Sequence, residues 1–294
     1  MGLPEWASAQ RRIAAKWYLE GVGNAGIGHR QDGRLMTNPE PRPTRNALDG
    51  LAAHPNQDLG ITLQELVLES VDLDDFLENL ATLAAITLSS SSNAVSCGVT
   101  VITRKKGITS ASSDEKVGAL DELQIDFGDG PCLTALRHNS VVLVVDSRHE
   151  SRWSDYMEAV WRNGIGSILA VPLDLAGEAD AVVNLYSTTP HGFSGPDITA
   201  ADEFGRRAAK SVRLALRISQ LRSTRDDLTA AIQSRSTIDT AVGIVMAQNR
   251  CGRDAAFKVL TRASNSRNVK LREIAANVIA SVSGEADPAP YFDE

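Results

Sequence analysis

Cysteine, aromatic residues and long apolar runs are all scarce in this chain, and each shortage removes a class of protein. Its three cysteines, Cys97, Cys132 and Cys251 of 294 residues, are too few and too scattered for a disulfide framework or a zinc site, and no metal is expected. No apolar stretch approaches the roughly 18 residues that span a bilayer, so no membrane partner is expected. The opening "MGLPEWASAQRRIAAKWYLEG" lacks the uninterrupted apolar segment of an export signal, and a reducing cytoplasm is the expected setting. Glycines at 21, 23, 26 and 28 have no strand before them and no helix after, which does not fit a dinucleotide fingerprint. His138, His149 and His191 form no pair at i, i+4 and read as surface or loop residues, with a single His as a haem ligand left open.

What the chain has is the composition of an ordinary globular protein, 43% apolar and 23% charged. Its net charge of −7 is unevenly spread. Between Arg206 and Arg272 stand fifteen Lys or Arg against four Asp, whereas the rest of the chain is acidic. Such a basic block reads either as a contact surface for a polyanion or as a solvated helical face.

Residues 1–60 read as one helix, with Trp6, Ile13 and Trp17 on a common face, followed by an irregular lead-in rich in Gly, Pro, Asn and Asp. From 61 to about 92 apolar residues recur at helical spacing, with a break near Asp72. The period then shortens. "AVSCGVTVITRKKGITSAS" predicts a hairpin, and "SVVLVVDS" (140–147), "GSILAVPLDL" (166–175) and "DAVVNLYST" (180–188) predict three further strands, the last two joined by "AGEA". Short helices are expected in "GPCLTALRHN" and "WSDYMEAVWRNG". The order predicts an α+β fold, an antiparallel-sheet sandwich with flanking helices.

Over roughly 62–215 the chain resembles a GAF domain. The resemblance rests on Gly130, Pro131 and Cys132 opening a helix, Asp146, Arg152 and Trp153 after the third strand, Gly166 with Val171, Pro172 and Leu173, and Asn184, Leu185 and Tyr186 before Phe193. It implies a sensor over 61–215 that binds a small molecule or mediates dimerisation, without naming a ligand or cofactor. Cys132 carries two readings, a pocket or redox thiol activated at a helix start and a small buried apolar residue.

Beyond the sensor, Leu214, Leu221 and Leu228 repeat every seven residues, with Ile218 and Ile232 offset by four. This a/d seam, with Arg225 at one a position, predicts a coiled-coil-like stalk over 214–235 that pairs two copies of the chain. The stripe could instead pack back on the sheet. The stalk enters a run in which Ile238, Ala241, Val242, Val245 and Met246 keep one apolar face. Gly243 within it is expected where a neighbouring helix comes close, since it costs about 1 kcal/mol relative to Ala. Asn249–Gly252 are expected to end that helix and Asp254 to cap a second, which buries Ala256, Phe257, Leu260 and Ala263. "SNSRN" reads as a turn before a third helix carrying Leu271, Ile274, Ala275, Val278 and Ile279.

This three-helix unit, 225–283, is similar to an ANTAR domain, the RNA-binding output module of transcription antiterminators. The similarity rests on Arg235, Ile238, Ala241, Gly243, Met246, Ala256, Phe257, Leu260, Ser264, Asn268, Lys270, Leu271 and Ala275; Val242 and Val245 depart from the usual Lys and Leu. It implies a small all-α domain packed through Ala241, Gly243, Met246, Phe257, Leu260, Leu271 and Ala275, with an acidic tail at 284–294. It further implies a non-enzymatic dimer that binds stem-loops in nascent leader RNA, beside an RNA polymerase elongation complex. Candidate RNA contacts are Arg235, Arg250, Arg253, Lys258, Arg262, Ser264, Arg267, Asn268, Lys270 and Arg272, with Asn268 alternatively capping the third helix. Two other readings stand beside this one: a DNA-binding regulator using the three helices as a helix-turn-helix, and a GAF-type thiol reductase dependent on Cys132.

Overall fold

The structure is a computed structural model that describes residues 59–103 and 107–283. The expected N-terminal helix, nearly all of the lead-in, the tip of the first hairpin and the acidic tail lie outside the described residues. The chain divides into two units, the first ending at Arg217 and the second beginning at Ile218.

In the first unit the order is α1 (Leu59–Glu69), α2 (Leu73–Leu88), β1 (Val95–Thr103), β2 (Gly107–Ser112), α3 (Glu115–Phe127), α4 (Pro131–His138), β3 (Val142–Val144), α5 (Ser154–Arg162), β4 (Ser167–Leu173) and β5 (Asp180–Ser187). A long helix, α6 (Gly195–Asn249), begins here and continues into the second unit. The five strands form one antiparallel sheet in the order β2-β1-β5-β4-β3. The fold is α+β, as the alternation of strand-like runs and helical segments predicts.

Period-two alternation sends Val99, Val101, Val171, Leu173, Val183 and Leu185 to one face of the sheet, and Gly98, Thr100, Ile168, Val182, Asn184 and Tyr186 to the other. Both faces are covered, so the central strands are buried nearly throughout and read as continuous apolar runs. Helix α2 packs on β1 and β2. The first turns of α6 pack on the face that carries Val171 and Leu173, whose side chains a Cβ at Gly205 would meet at 3.2 Å. Helix α3 lies on β1 and β2, α4 on β3, β4 and β5, and α5 against α3.

Local chemistry sets the boundaries. Asp72 caps α2 by accepting from the Asp75 N–H, the break expected there. Asp114 caps α3 by accepting from the Val117 N–H, and Gly128 ends it at φ 69°. Helix α3 is absent from the sequence expectations. Its buried stripe is Val117, Leu120, Asp121 and Gln124, and two polar members out of four erase the apolar period that marks a helix. The third expected strand shrinks to Val142–Val144, because Asp146 accepts from the Arg148 N–H and turns the chain away.

In the second unit the end of α6 joins α7 (Arg253–Arg267) and α8 (Leu271–Ser283). Ala241, Val242, Val245, Ala256, Leu260, Ile274 and Ala275 form its buried core, and Met246, Ala263, Leu271, Val278 and Ile279 pack partly buried around it. Two residues expected in this packing stand outside it. Phe257 is 45% exposed, one position round the helix from buried Ala256. Gly243 is exposed, and a Cβ there would meet nothing within 4 Å, so no close helix approach accounts for it. The expected turn 264–268 is also corrected: 264–267 form the last turn of α7, and Gly252 rather than Asp254 is the N-cap. Asp254 sits instead in the first turn, where a carboxylate favours the helix N-terminus.

Candidate nucleic-acid interface and sensor core

Small side chains at the contacts of the second unit let its helices close on a thin core and leave the long cations outside. Arg235, Arg250, Arg253, Lys258, Arg262, Arg267, Lys270 and Arg272 are all exposed. Arg253 is committed: its Nη2 lies 2.6 Å from Asp239 Oδ1, and Arg235 Nε lies 3.9 Å from the same carboxylate. Among the described residues the other six form no ion pair. Lys258 and Arg262, four apart on α7, share one face, while Phe257 follows Arg253 by one turn on another.

The remaining two candidates, Ser264 and Asn268, take part in the chain reversal between α7 and α8. Ser264 Oγ donates to the Val269 carbonyl at 2.6 Å, inside the chain reversal. Asn268 adopts φ 52° and closes α7, its N–H directed to the carbonyls of Ser264 and Asn265. Asn268 therefore caps the second helix of the unit; the alternative role at the third is corrected, because α8 opens on the Lys270 carbonyl, which accepts from Glu273 and Ile274. Left-handed backbone suits Asn among non-glycine residues, and it permits the abrupt stop. Only Asn268, Val269 and Lys270 then separate the two helices. A connection this short is compatible with a helix-turn-helix, so turn length does not separate RNA from DNA as the target.

Along α6, Leu221, Leu228 and Ile232 are 60% or more exposed, Leu214 is about half exposed and Ile218 is half-buried. Earlier on the same helix Ala201, Phe204, Ala208 and Val212 are buried in the first unit. The seam is thus left bare by the chain's own packing. Arg225, at its polar position, pairs with neighbouring Asp226 at 2.9 Å.

In the first unit Cys132 belongs to a buried apolar cluster that also holds Leu120, Tyr156, Met157 and Tyr186. The Cys132 thiol is 1% exposed, and burial, reinforced by the charge of Asp121, pushes it up to about 12. Burial and the raised thiol both disfavour the thiolate, the reactive form, and so weigh toward the buried apolar reading of Cys132. The Cys132 N–H donates to Gln124 Oε1 at 2.8 Å, which ties α4 to α3. Among the described residues no group of three or more His, Cys, Asp or Glu could hold a metal ion. A groove of about 790 Å³ beside α6 is lined by both signs of charge, including Asp174, Asp202, Arg206 and Lys210.

The residue that sequence reasoning missed is Asp121. Its carboxyl is buried on α3, where Oδ1 accepts from Asn184 Nδ2 at 2.8 Å and from the Tyr186 hydroxyl at 2.6 Å. Oδ2 has no partner, nor has Asn184 Oδ1. Burial raises its pKa to about 7 against the lowering effect of those two hydrogen bonds. An Asp inside a run of small and polar residues gives no sign of burial; only the fold brings it under the sheet.

Comparison with known proteins follows the division into two units. A GAF domain model matches residues 70–212, and an ANTAR domain model matches residues 226–279. No curated protein matches the chain. Similar solved structures include the GAF domain region of a Geobacter sulfurreducens putative membrane protein, at 16% identity and TM-score 0.39, covering 48% of this chain and 93% of that one. Another is the type II free methionine-R-sulfoxide reductase of Thermoplasma acidophilum, at 22% identity and TM-score 0.38, covering 48% and 95%. A third is the GAF domain of a Coxiella burnetii phosphoenolpyruvate-protein phosphotransferase, at 14% identity and TM-score 0.41, covering 60% and 99%. Among the described residues no helix is long and apolar enough to cross a membrane. GAF is a sensor domain and ANTAR a domain of RNA-binding antitermination regulators; this chain carries the first followed by the second.

Proposed function

We propose that the protein is a signal-responsive antiterminator: a dimer that binds stem-loops in nascent leader RNA through residues 225–283, under control of the sensor at 61–215. The observation that carries the reading is the outward row of uncommitted cations, Arg250, Lys258, Arg262, Arg267, Lys270 and Arg272, on a three-helix unit matched by the ANTAR model. Loops of RNA offer unstacked bases and clustered phosphates, which suit such cations. The exposed ring of Phe257 adds a surface on which a base can stack, a contact worth about 1–3 kcal/mol. Leu214, Ile218, Leu221, Leu228 and Ile232 provide the seam for a second copy, which brings two output units to paired hairpins. An RNA target on the nascent transcript places the protein in the cytoplasm beside the polymerase elongation complex.

The test is binding of the full-length protein, over a range of salt, to a two-hairpin RNA, an unstructured RNA of equal length and duplex DNA. Hairpin preference is expected, with a loss of about tenfold or more in the R267A/K270A double variant. Preference for duplex DNA would instead support the helix-turn-helix reading. Equal weak binding to all three, vanishing together with salt, would reduce the basic block to a polyelectrolyte surface.

A further inference from the structure

The core of the sensor unit holds a carboxyl with no cation to match it. Asp121 lies on the inward stripe of α3, pressed so closely on β1 that a Cβ at Gly98 would overlap its Oδ2. The groups that face it come from every neighbouring element. Strand β1 contributes Gly98 and Thr100, with the Cys97 thiol on the opposite face of the sheet; β5 contributes Asn184 and the Tyr186 phenol, α4 the Cys132 thiol, and α5 the Tyr156 phenol. Strand β2, with the sequence Gly-Ile-Thr-Ser-Ala-Ser, has no titratable side chain, and α3 itself adds Gln124. Among the described residues no Lys, Arg or His belongs to this set. The Cys132 thiol and both phenols are raised by burial and by the Asp121 charge, so they stay neutral and add no second charge to the cluster.

Two buried oxygens in this cluster lack partners, Asp121 Oδ2 and Asn184 Oδ1, and both are acceptors. What the cluster lacks is a donor. A proton on Oδ2 supplies one and removes the unmatched charge in the same step. We propose that Asp121 is a proton-responsive latch of the sensor: as a neutral acid it holds α3 on the sheet, and when ionised it draws water in and loosens α3. Hydration of a carboxylate outweighs the two charge-assisted hydrogen bonds from Asn184 and Tyr186, so ionisation favours opening. Loosening α3 would reach α4 directly, because Gln124 on α3 holds the Cys132 N–H and packs against Gly130 at the turn between them. The titration expected for Asp121, about 7, places the change near neutral pH.

The experiment is amide hydrogen exchange of residues 115–127 in the full-length protein from about pH 5.5 to about pH 8.5, corrected for the intrinsic pH dependence of exchange. In the wild type, protection of α3 should fall about tenfold through a one-proton transition centred near 7. D121N, a neutral isostere, should stay protected throughout. Y186F removes a hydrogen bond that favours the ionised form and should move the midpoint up by about one unit. Flat protection in the wild type, the same transition in D121N, or an unmoved midpoint in Y186F would each overturn the latch. Should D121N fail to fold, the Y186F midpoint decides alone. None of these readings depends on what the output unit binds.

Discussion

At the scale of single residues, burial decides which groups react and when. Asp121 keeps its proton in the folded chain up to about pH 7, while an unfolded Asp releases it near the ordinary carboxyl value of 3.8. Between those values the unfolded state binds fewer protons, so stability falls as pH rises from about 4 to about 7 and levels off above. Chemical denaturation of D121N at pH 8 should therefore show a gain over wild type of at most about 4 kcal/mol, since water entry caps the penalty, and the gain should shrink toward pH 4. The cysteines divide by the same physics. Cys97 and Cys132 are buried with raised thiols, and Cys251 is half-buried in the second unit. A thiol reagent at mild alkaline pH should modify Cys251 first in the native protein, and C251S should abolish that fast labelling. Fast labelling retained in C251S would restore Cys132 as a reactive thiol.

At the scale of elements, Asn268 shows how a backbone role and a contact role can be told apart. Its φ of 52° costs a β-branched residue about 1–2 kcal/mol and glycine nothing. N268V should therefore lower the stability of the second unit, whereas N268G should keep it, as read by thermal unfolding. If N268G folds normally but loses hairpin affinity, the Asn side chain itself touches RNA; if affinity persists, its work ends at the helix stop. The bare seam on α6 makes a second test. L221D/L228D should leave a monomer by sedimentation, because two carboxylates across a closed a/d seam repel. The elements legible in the sequence carry a clean period or a strong punctuation mark: the β1–β2 hairpin, the Asp72 break, and Gly130 with Pro131. What was hidden is what tertiary contact alone decides. Asp121 and Gln124 disguised α3, the αL stop at Asn268 turned a polar "SNSRN" into helix, and Phe257 matched the core period while pointing outward.

At the scale of the whole chain, the separation of charge shapes what can bind. A net charge of −7 would ordinarily repel a polyanion, yet fifteen of the thirty Lys and Arg lie between Arg206 and Arg272 against only four of the thirty-seven acids. Attraction is therefore confined to that block, and the acidic remainder works against loose adsorption of nucleic acid elsewhere. Binding should carry the signature of counterion release from the uncommitted cations alone. If Arg250, Lys258, Arg262, Arg267, Lys270 and Arg272 each neutralise one loop phosphate, log affinity against log salt should fall with a slope of about −4 per output unit, and about twice that for a paired dimer. K270A should reduce the slope by about 0.7 to 0.9, whereas R253A should leave it nearly unchanged, because Arg253 is already neutralised by Asp239 at 2.6 Å. Titrations at several salt concentrations separate these cases. Equal slope losses in K270A and R253A would mean that the Arg253–Asp239 pair opens on binding, and the contact surface would then extend onto α6.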